Sequence, residues 1–195
     1  ERRPPAIFPL SEAEAEVARL QRLGGVHLMH GKPGYPEALG ALPDCPPVLC
    51  ALGRAELVER PCLGIVGARG ASAHGIRLAE RFAEVLGEQG FAIASGLARG
   101  IDAAAHRGAL PHGTIAVVAG GIDITYPREN AELQAAIAAE GLLLSEMPPG
   151  LKPQARHFPR RNRVISGLSL GLLVVEAALK SGSLITARYA ADQGR

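Results

Sequence analysis

The chain has 195 residues, 47% of them hydrophobic, and a formal net charge of only +2 at pH 7. That length builds one large domain or one domain with a small appendage, and near-neutrality excludes a protein that holds any polyanion through its overall charge. No apolar run reaches the roughly 18 residues of a membrane helix and no charged-then-apolar signal segment opens the sequence, so no membrane role is expected and the expected location is cytoplasmic.

In chain order, Ser11 with Glu14 three residues later forms a capping box and predicts a helix to about Leu23. Pro33, Pro36, Pro43, Pro46 and Pro47 then break any long element. Residues 1–60 are therefore expected as a helical, proline-rich connecting segment, ahead of a domain over 61–195. His27 and His30 stand alone, and Cys45, Cys50 and Cys62 lack Cys-x-x-Cys spacing. Buried thiols are expected rather than a disulfide framework, and no metal or cofactor is expected.

From Leu63 onward, short apolar runs alternate with amphipathic stretches, the pattern of βα units. The predicted strands are Leu63–Val66, Phe91–Ala94, Thr114–Ala119, Leu142–Leu144 and Leu172–Val175. Each is almost wholly apolar, as parallel strands covered on both faces must be. Helical spacing of Ile76, Ala79, Phe82, Ala83 and Leu86, and later of Leu133, Ala136 and Ile137, supplies covering helices. The expected class is α/β, a doubly wound, mainly parallel, extended Rossmann-like sheet, with ligands beyond the carboxyl ends of its strands.

The loops at those ends hold the unusual residues. Gly67-Ala68-Arg69-Gly70 follows the first strand and feeds a helix, which aims amides and the positive helix end at an anion. Its glycines do not fit the dinucleotide fingerprint, and Arg69 is placed to fork onto a phosphate. The next loop, Ser95-Gly96-Leu97-Ala98-Arg99-Gly100-Ile101-Asp102, turns sharply, and Asp102 is expected to cap the following helix. In the third, Arg128 follows Tyr126-Pro127 and opens a helix, a position where a cation opposes the helix dipole and a ligand offsets it.

Between Glu146 and Glu176 there is no acidic residue, yet the interval carries Lys152, Arg156, Arg160, Arg161 and Arg163. Basicity is thus local, which points to a defined groove for an anion. His157-Phe158-Pro159-Arg160-Arg161-Asn162-Arg163 begins a predicted helix with Val164, Ile165 and Leu168 on its buried side. Phe158 among arginines offers a ring for a base while cations take phosphates. With four Phe, three Tyr and no Trp in the chain, the stacking surface is small.

Four runs together resemble the DNA-processing protein A (DprA/Smf) family: Ile65–Arg69, Ser95–His106, Phe158–Ile165 and Ser181–Thr186. The resemblance implies a single-stranded DNA-binding protein that is not an enzyme, acts in natural transformation, shields incoming strands and loads the RecA recombinase. It implies a phosphate pocket of Arg69, Arg128, Arg161 and Arg163, with the Gly67 and Gly96 amides nearby, Asn162 orienting the strand and Phe158 contacting a base. Ala68 departs from the family's small hydroxyl residue, and the domain is expected to be incomplete beyond Arg195. A homodimer is compatible with the family. On this reading Arg161→Ala weakens DNA binding without unfolding the domain.

The rival class is a nucleotide-processing enzyme, a nucleoside monophosphate N-glycosidase on a related Rossmann-like fold. Its acid–base residues would be Asp102, His106 and Glu176. The alternative role for Glu176 is pairing with Arg161 or Arg163.

Overall fold

The computed structural model describes residues 8–179 and 181–195. Seven strands form one sheet: β1 (Val26–Met29), β2 (Val48–Gly53), β3 (Cys62–Gly67), β4 (Ala92–Ser95), β5 (Thr114–Val117), β6 (Leu142–Ser145) and β7 (Leu172–Val175). The helices are α1 (Leu10–Arg22), α2 (Glu37–Gly40), α3 (Ala73–Glu88), α4 (Ile101–Ala109), α5 (Ala131–Glu140), α6 (His157–Leu168) and α7 (Gly182–Asp192). Spatial order in the sheet is β1-β2-β6-β5-β4-β3-β7. From β3 to β7 all neighbouring pairs are parallel, which is the doubly wound arrangement expected from the apolar runs.

The proline-rich segment is more than connecting chain. β2 pairs antiparallel with β6 and β1 antiparallel with β2, so residues 26–53 extend the same sheet rather than precede it. Pro46 and Pro47 lie just before β2 and do not interrupt it, and Leu49, Cys50 and Ala51 are buried in the sheet. Burying a leucine such as Leu49 fully contributes roughly 1.5–3 kcal/mol, enough to fix this strand despite its flanking prolines. Ser11 does not cap α1 either, because the helix starts earlier, with Pro9 in extended conformation at the N-cap position.

Side chains alternate across the sheet. Val66, Ala94, Val117 and Leu144 pack on one face against Val164, Ile165 and Leu168 of α6. Ile65 and Ile93 pack on the other against α3 and α4, and Cys50, Ala116 and Leu143 on that same face against Leu20 of α1 and Ile137 of α5. The chain builds outward from β3 through β4, β5 and β6 and then crosses to place β7 on the far side of β3. That reversal opens a crevice at the carboxyl ends of β3 and β7.

Candidate functional site

The loops after β3 and β7 and the first turns of α6 and α7 meet at this crevice. Phe158, Arg161, Asn162 and Ile165 recur at i, i+3, i+4 and i+7 on α6 and therefore share one helical face. All four line a cavity of about 560 Å³, bordered by Val66–Gly70 at the end of β3 and by Ser181, the N-cap of α7, with Ser183 and Thr186 of that helix. A second cavity, of about 740 Å³, adds Gly96, Arg99, Tyr126 and Arg128. Arg69, Gly70, Ala98, Phe158 and Arg161 line both, so the two cavities form one continuous surface.

At the shared wall the Arg69 guanidinium lies 5.8 Å from the Phe158 ring centroid, within cation–π range. Tyr126 also packs against Phe158, centroids 5.5 Å apart and ring planes tilted by 55°. Arg69 and Arg128 are exposed, and Arg99, on the rim of the second cavity, is ion-paired with Glu129. The Arg69 guanidinium thus lies against an aromatic pair in a cleft whose second cavity also presents the exposed Arg128.

Arg161 differs from these. It is 7% exposed, and its guanidinium donates to the Gly96 carbonyl (2.5 Å) and the Val117 carbonyl. Its charge faces the buried Asp102 carboxylate. Burial lowers the Arg161 pKa to about 10, with Asp102 opposing that shift and Arg69 adding to it. Burial likewise raises the Asp102 carboxyl, while Arg161 and the amides of Ala98, Gly67 and Gly96 pull it back down. The amides expected to face a phosphate are thus turned to a carboxylate of the protein itself. Gly96 is needed because a Cβ there would strike the Arg161 guanidinium, and Gly67 because a Cβ would strike the Val175 carbonyl and Ile101.

Arg163 is not part of the pocket. It lines neither cavity, donates to the Asp44 carbonyl and to Glu146 Oε1 (2.5 Å), and shares that carboxylate with Arg160 (3.2 Å). Glu146, which bounds the acid-free interval in sequence, thereby pairs with two of its arginines. Asn162 stays in the first cavity and donates to the Gly182 carbonyl (3.3 Å), tying α6 to the start of α7.

The enzyme candidates do not converge. Asp102 reaches the cavity but does not cap α4, whose N-cap is Gly100, and instead accepts from the Ala98 amide at 3.3 Å. His106 is fully buried, its Nδ1 2.7 Å from Thr114 Oγ1, and burial together with the charge of Arg161 drives its pKa down to about 3. Glu176 pairs with neither Arg161 nor Arg163, because its carboxylate accepts from the Ser72 amide (2.9 Å) and hydroxyl (3.1 Å). Among the described residues no hydrogen bond joins any two of these three groups.

Sequence reasoning missed Asn130. Its side-chain amide donates to the carbonyls of Leu97 (2.9 Å) and Ala98 (3.2 Å), and Leu97 carries a positive φ of 55°. A left-handed leucine is unfavourable and persists only where surroundings hold it. The signal in sequence is weak, because an asparagine at a helix start is ordinarily a cap.

Fold and site together define a class: a Rossmann-like α/β protein with a basic, aromatic-edged cleft at the switch point of its sheet. The chain belongs to the DNA recombination-mediator protein A family, whose model matches residues 26–195. It is 49% identical over 169 residues to Protein Smf of Synechocystis, covering 84% of this chain and 42% of that protein. It is 44% identical over 163 residues to DNA processing protein DprA of Streptococcus pneumoniae, covering 83% and 57%. The chain thus spans about half the length of the curated relatives it matches. The crystal structure of the S. pneumoniae protein superposes with a TM-score of 0.88 at 37% identity, over 96% of this chain and 65% of that one. DNA processing protein A of Helicobacter pylori, described for its single-stranded DNA binding mode, superposes with a TM-score of 0.81 at 32% identity, over 87% and 77%. No helix among the described residues is long and apolar enough to cross a membrane.

Proposed function

We propose that this chain is the strand-binding core of a non-catalytic DNA-processing protein that holds single-stranded DNA without sequence preference. The observation that carries this reading is the Arg69–Phe158 stack on the wall common to both cavities. A cation beside an aromatic face is the combination a single strand uses, with Arg69 and Arg128 taking successive phosphates and Phe158 a base. Asn162 orients the strand in the first cavity. Arg161 supports the Gly96 loop from below and presents its edge to both cavities.

Family membership supports the remaining roles: cytoplasmic action in DNA uptake and natural transformation, shielding of incoming strands, loading of the RecA recombinase and assembly as a homodimer. The site test is fluorescence anisotropy of a labelled single-stranded oligonucleotide at several salt concentrations, with a duplex of the same sequence as competitor. Salt-dependent binding that the duplex does not displace is expected. Equal competition by duplex, or affinity indifferent to salt, overturns the reading. Release of free base from a nucleoside monophosphate by the pure protein would restore the enzyme.

A further inference from the structure

At the opposite edge of the sheet from the cleft, β1 and β2 place His27 directly opposite Cys50, so both side chains leave the same face. That face is covered by α1, where Leu20 packs in the same cluster as Cys50. Glu16 stands one helical turn before Leu20 and shares its stripe. One imidazole nitrogen, the thiol sulfur and one carboxylate oxygen all lie within 4.8 Å of one another.

We propose that Glu16, His27 and Cys50 bind one divalent transition-metal ion of the zinc class, which pins α1 and the β1–β2 edge to the rest of the sheet. The donor set decides the ion. A thiolate and an imidazole disfavour calcium and magnesium, which take oxygen ligands, whereas zinc accepts sulfur, nitrogen and carboxylate oxygen together. Three protein ligands leave a fourth, tetrahedral position for water. The thiol loses its proton to solvent as the metal binds.

The charges around the site favour a cation. Besides Glu16, the carboxylate of Asp123 also acts on Cys50, and the neighbouring Arg19 is already engaged by Asp123 at 2.8 Å. Among the described residues, neither Glu16 nor His27 has an ion-pair partner. Glu16 precedes the residues matched by the family model, whereas His27 and Cys50 fall within them. β1 is an edge strand paired on one side only, and a metal bridging helix and strands would hold it against slippage.

The test uses the chain stripped with a chelator, dialysed and titrated with Zn²⁺ and, separately, Co²⁺. One equivalent of Zn²⁺ is expected to bind and raise the melting temperature, and Co²⁺ to develop a thiolate charge-transfer band. Cys50→Ala should abolish that band. His27→Gln alters a half-buried ring on an edge strand, keeps the fold, and should weaken binding more than roughly tenfold. Substoichiometric binding, or a band and an affinity unchanged in His27→Gln, overturns the site.

Discussion

Arg161→Met separates two roles that a guanidinium at this position could play. The substitution keeps an unbranched stem of similar length but removes the donors to the Gly96 and Val117 carbonyls and the charge that faces Asp102. Removing one partner of a buried pair costs roughly 3–5 kcal/mol, and each carbonyl left without a donor adds about 1 kcal/mol or more. These costs overlap. Asp102 already has a raised pKa through burial, so it relieves part of the loss by taking up a proton. A net loss of about 4 kcal/mol is therefore expected, a large share of the roughly 5–15 kcal/mol that holds a domain together.

Urea denaturation of the wild type, Arg161→Met, Asp102→Asn and the double variant closes a thermodynamic cycle. With a slope of about 2 kcal/mol per molar urea, the Arg161→Met midpoint should fall by about 2 M. Adding Asp102→Asn removes the unpaired carboxylate and should recover about 1–3 kcal/mol. From sequence, Arg161 is expected to be a phosphate ligand whose loss weakens DNA binding without unfolding the domain; its buried partners add a stability cost to that expectation. If Arg161→Met loses less than about 1 kcal/mol of stability while single-strand affinity falls tenfold or more, the buried-strut reasoning is wrong and Arg161 is a direct ligand.

Arg69→Ala and Phe158→Ala should each weaken single-strand binding, roughly tenfold, but with different signatures in anisotropy titrations. Arg69→Ala should flatten the plot of log affinity against log salt by about 0.7, whereas Phe158→Ala should leave its slope unchanged because stacking releases no counterion. Arg163→Ala should leave DNA affinity unaltered and instead cost about 3 kcal/mol in urea melts, the low end for a broken buried pair because Arg160 still reaches Glu146. His106 has a folded pKa of about 3 against an ordinary 6.5. The unfolded chain therefore binds the extra proton between those values, and the stability that neutral His106 contributes is present above pH 6.5 and lost as pH falls toward 3. The slope there approaches 1.4 kcal/mol per pH unit. Asp102, with its raised pKa, acts in the opposite sense, so the check is the difference between wild type and His106→Gln across that window, which should shrink stability loss on acidification.

The parallel strands were legible because a strand buried on both faces is an unbroken apolar run, and β3 to β7 each begin or end within three residues of such a run. β1 and β2 were hidden by punctuation. Five prolines between residues 33 and 47 argue for connecting chain, but they fall between the two strands, and antiparallel pairing needs no crossover helix to announce it. The trio of Glu16, His27 and Cys50 was illegible for the same reason: spacings of this size mean nothing until strand register sets His27 against Cys50. Arg163 was legible in part. Once His157 is taken to start a helix, residues 161 and 163 stand about 200° apart around it and cannot both face one phosphate path. What the helical period does not show is that Glu146 waits on the other side.

Removing Arg163 from the pocket and turning Arg161 to Asp102 changes the electrostatics expected of the cleft. Four arginines contacting successive phosphates of a single strand would give a log–log salt slope of about −3. Here the Arg161 charge is opposed by Asp102, the Arg163 charge by Glu146, and Arg99 on the rim by Glu129. Arg69 and Arg128 remain as the exposed cations of the cleft among the residues expected to bind phosphate, and two such contacts give a slope of about −1.4. Affinity should then depend on stacking at Phe158 and Tyr126 as much as on charge, and binding should persist at salt concentrations that strip a purely electrostatic binder. A measured slope near −3 would mean that strand binding frees Arg161 and Arg163 from their carboxylates, and it would make the Asp102 and Glu146 pairs part of the binding equilibrium rather than fixed supports.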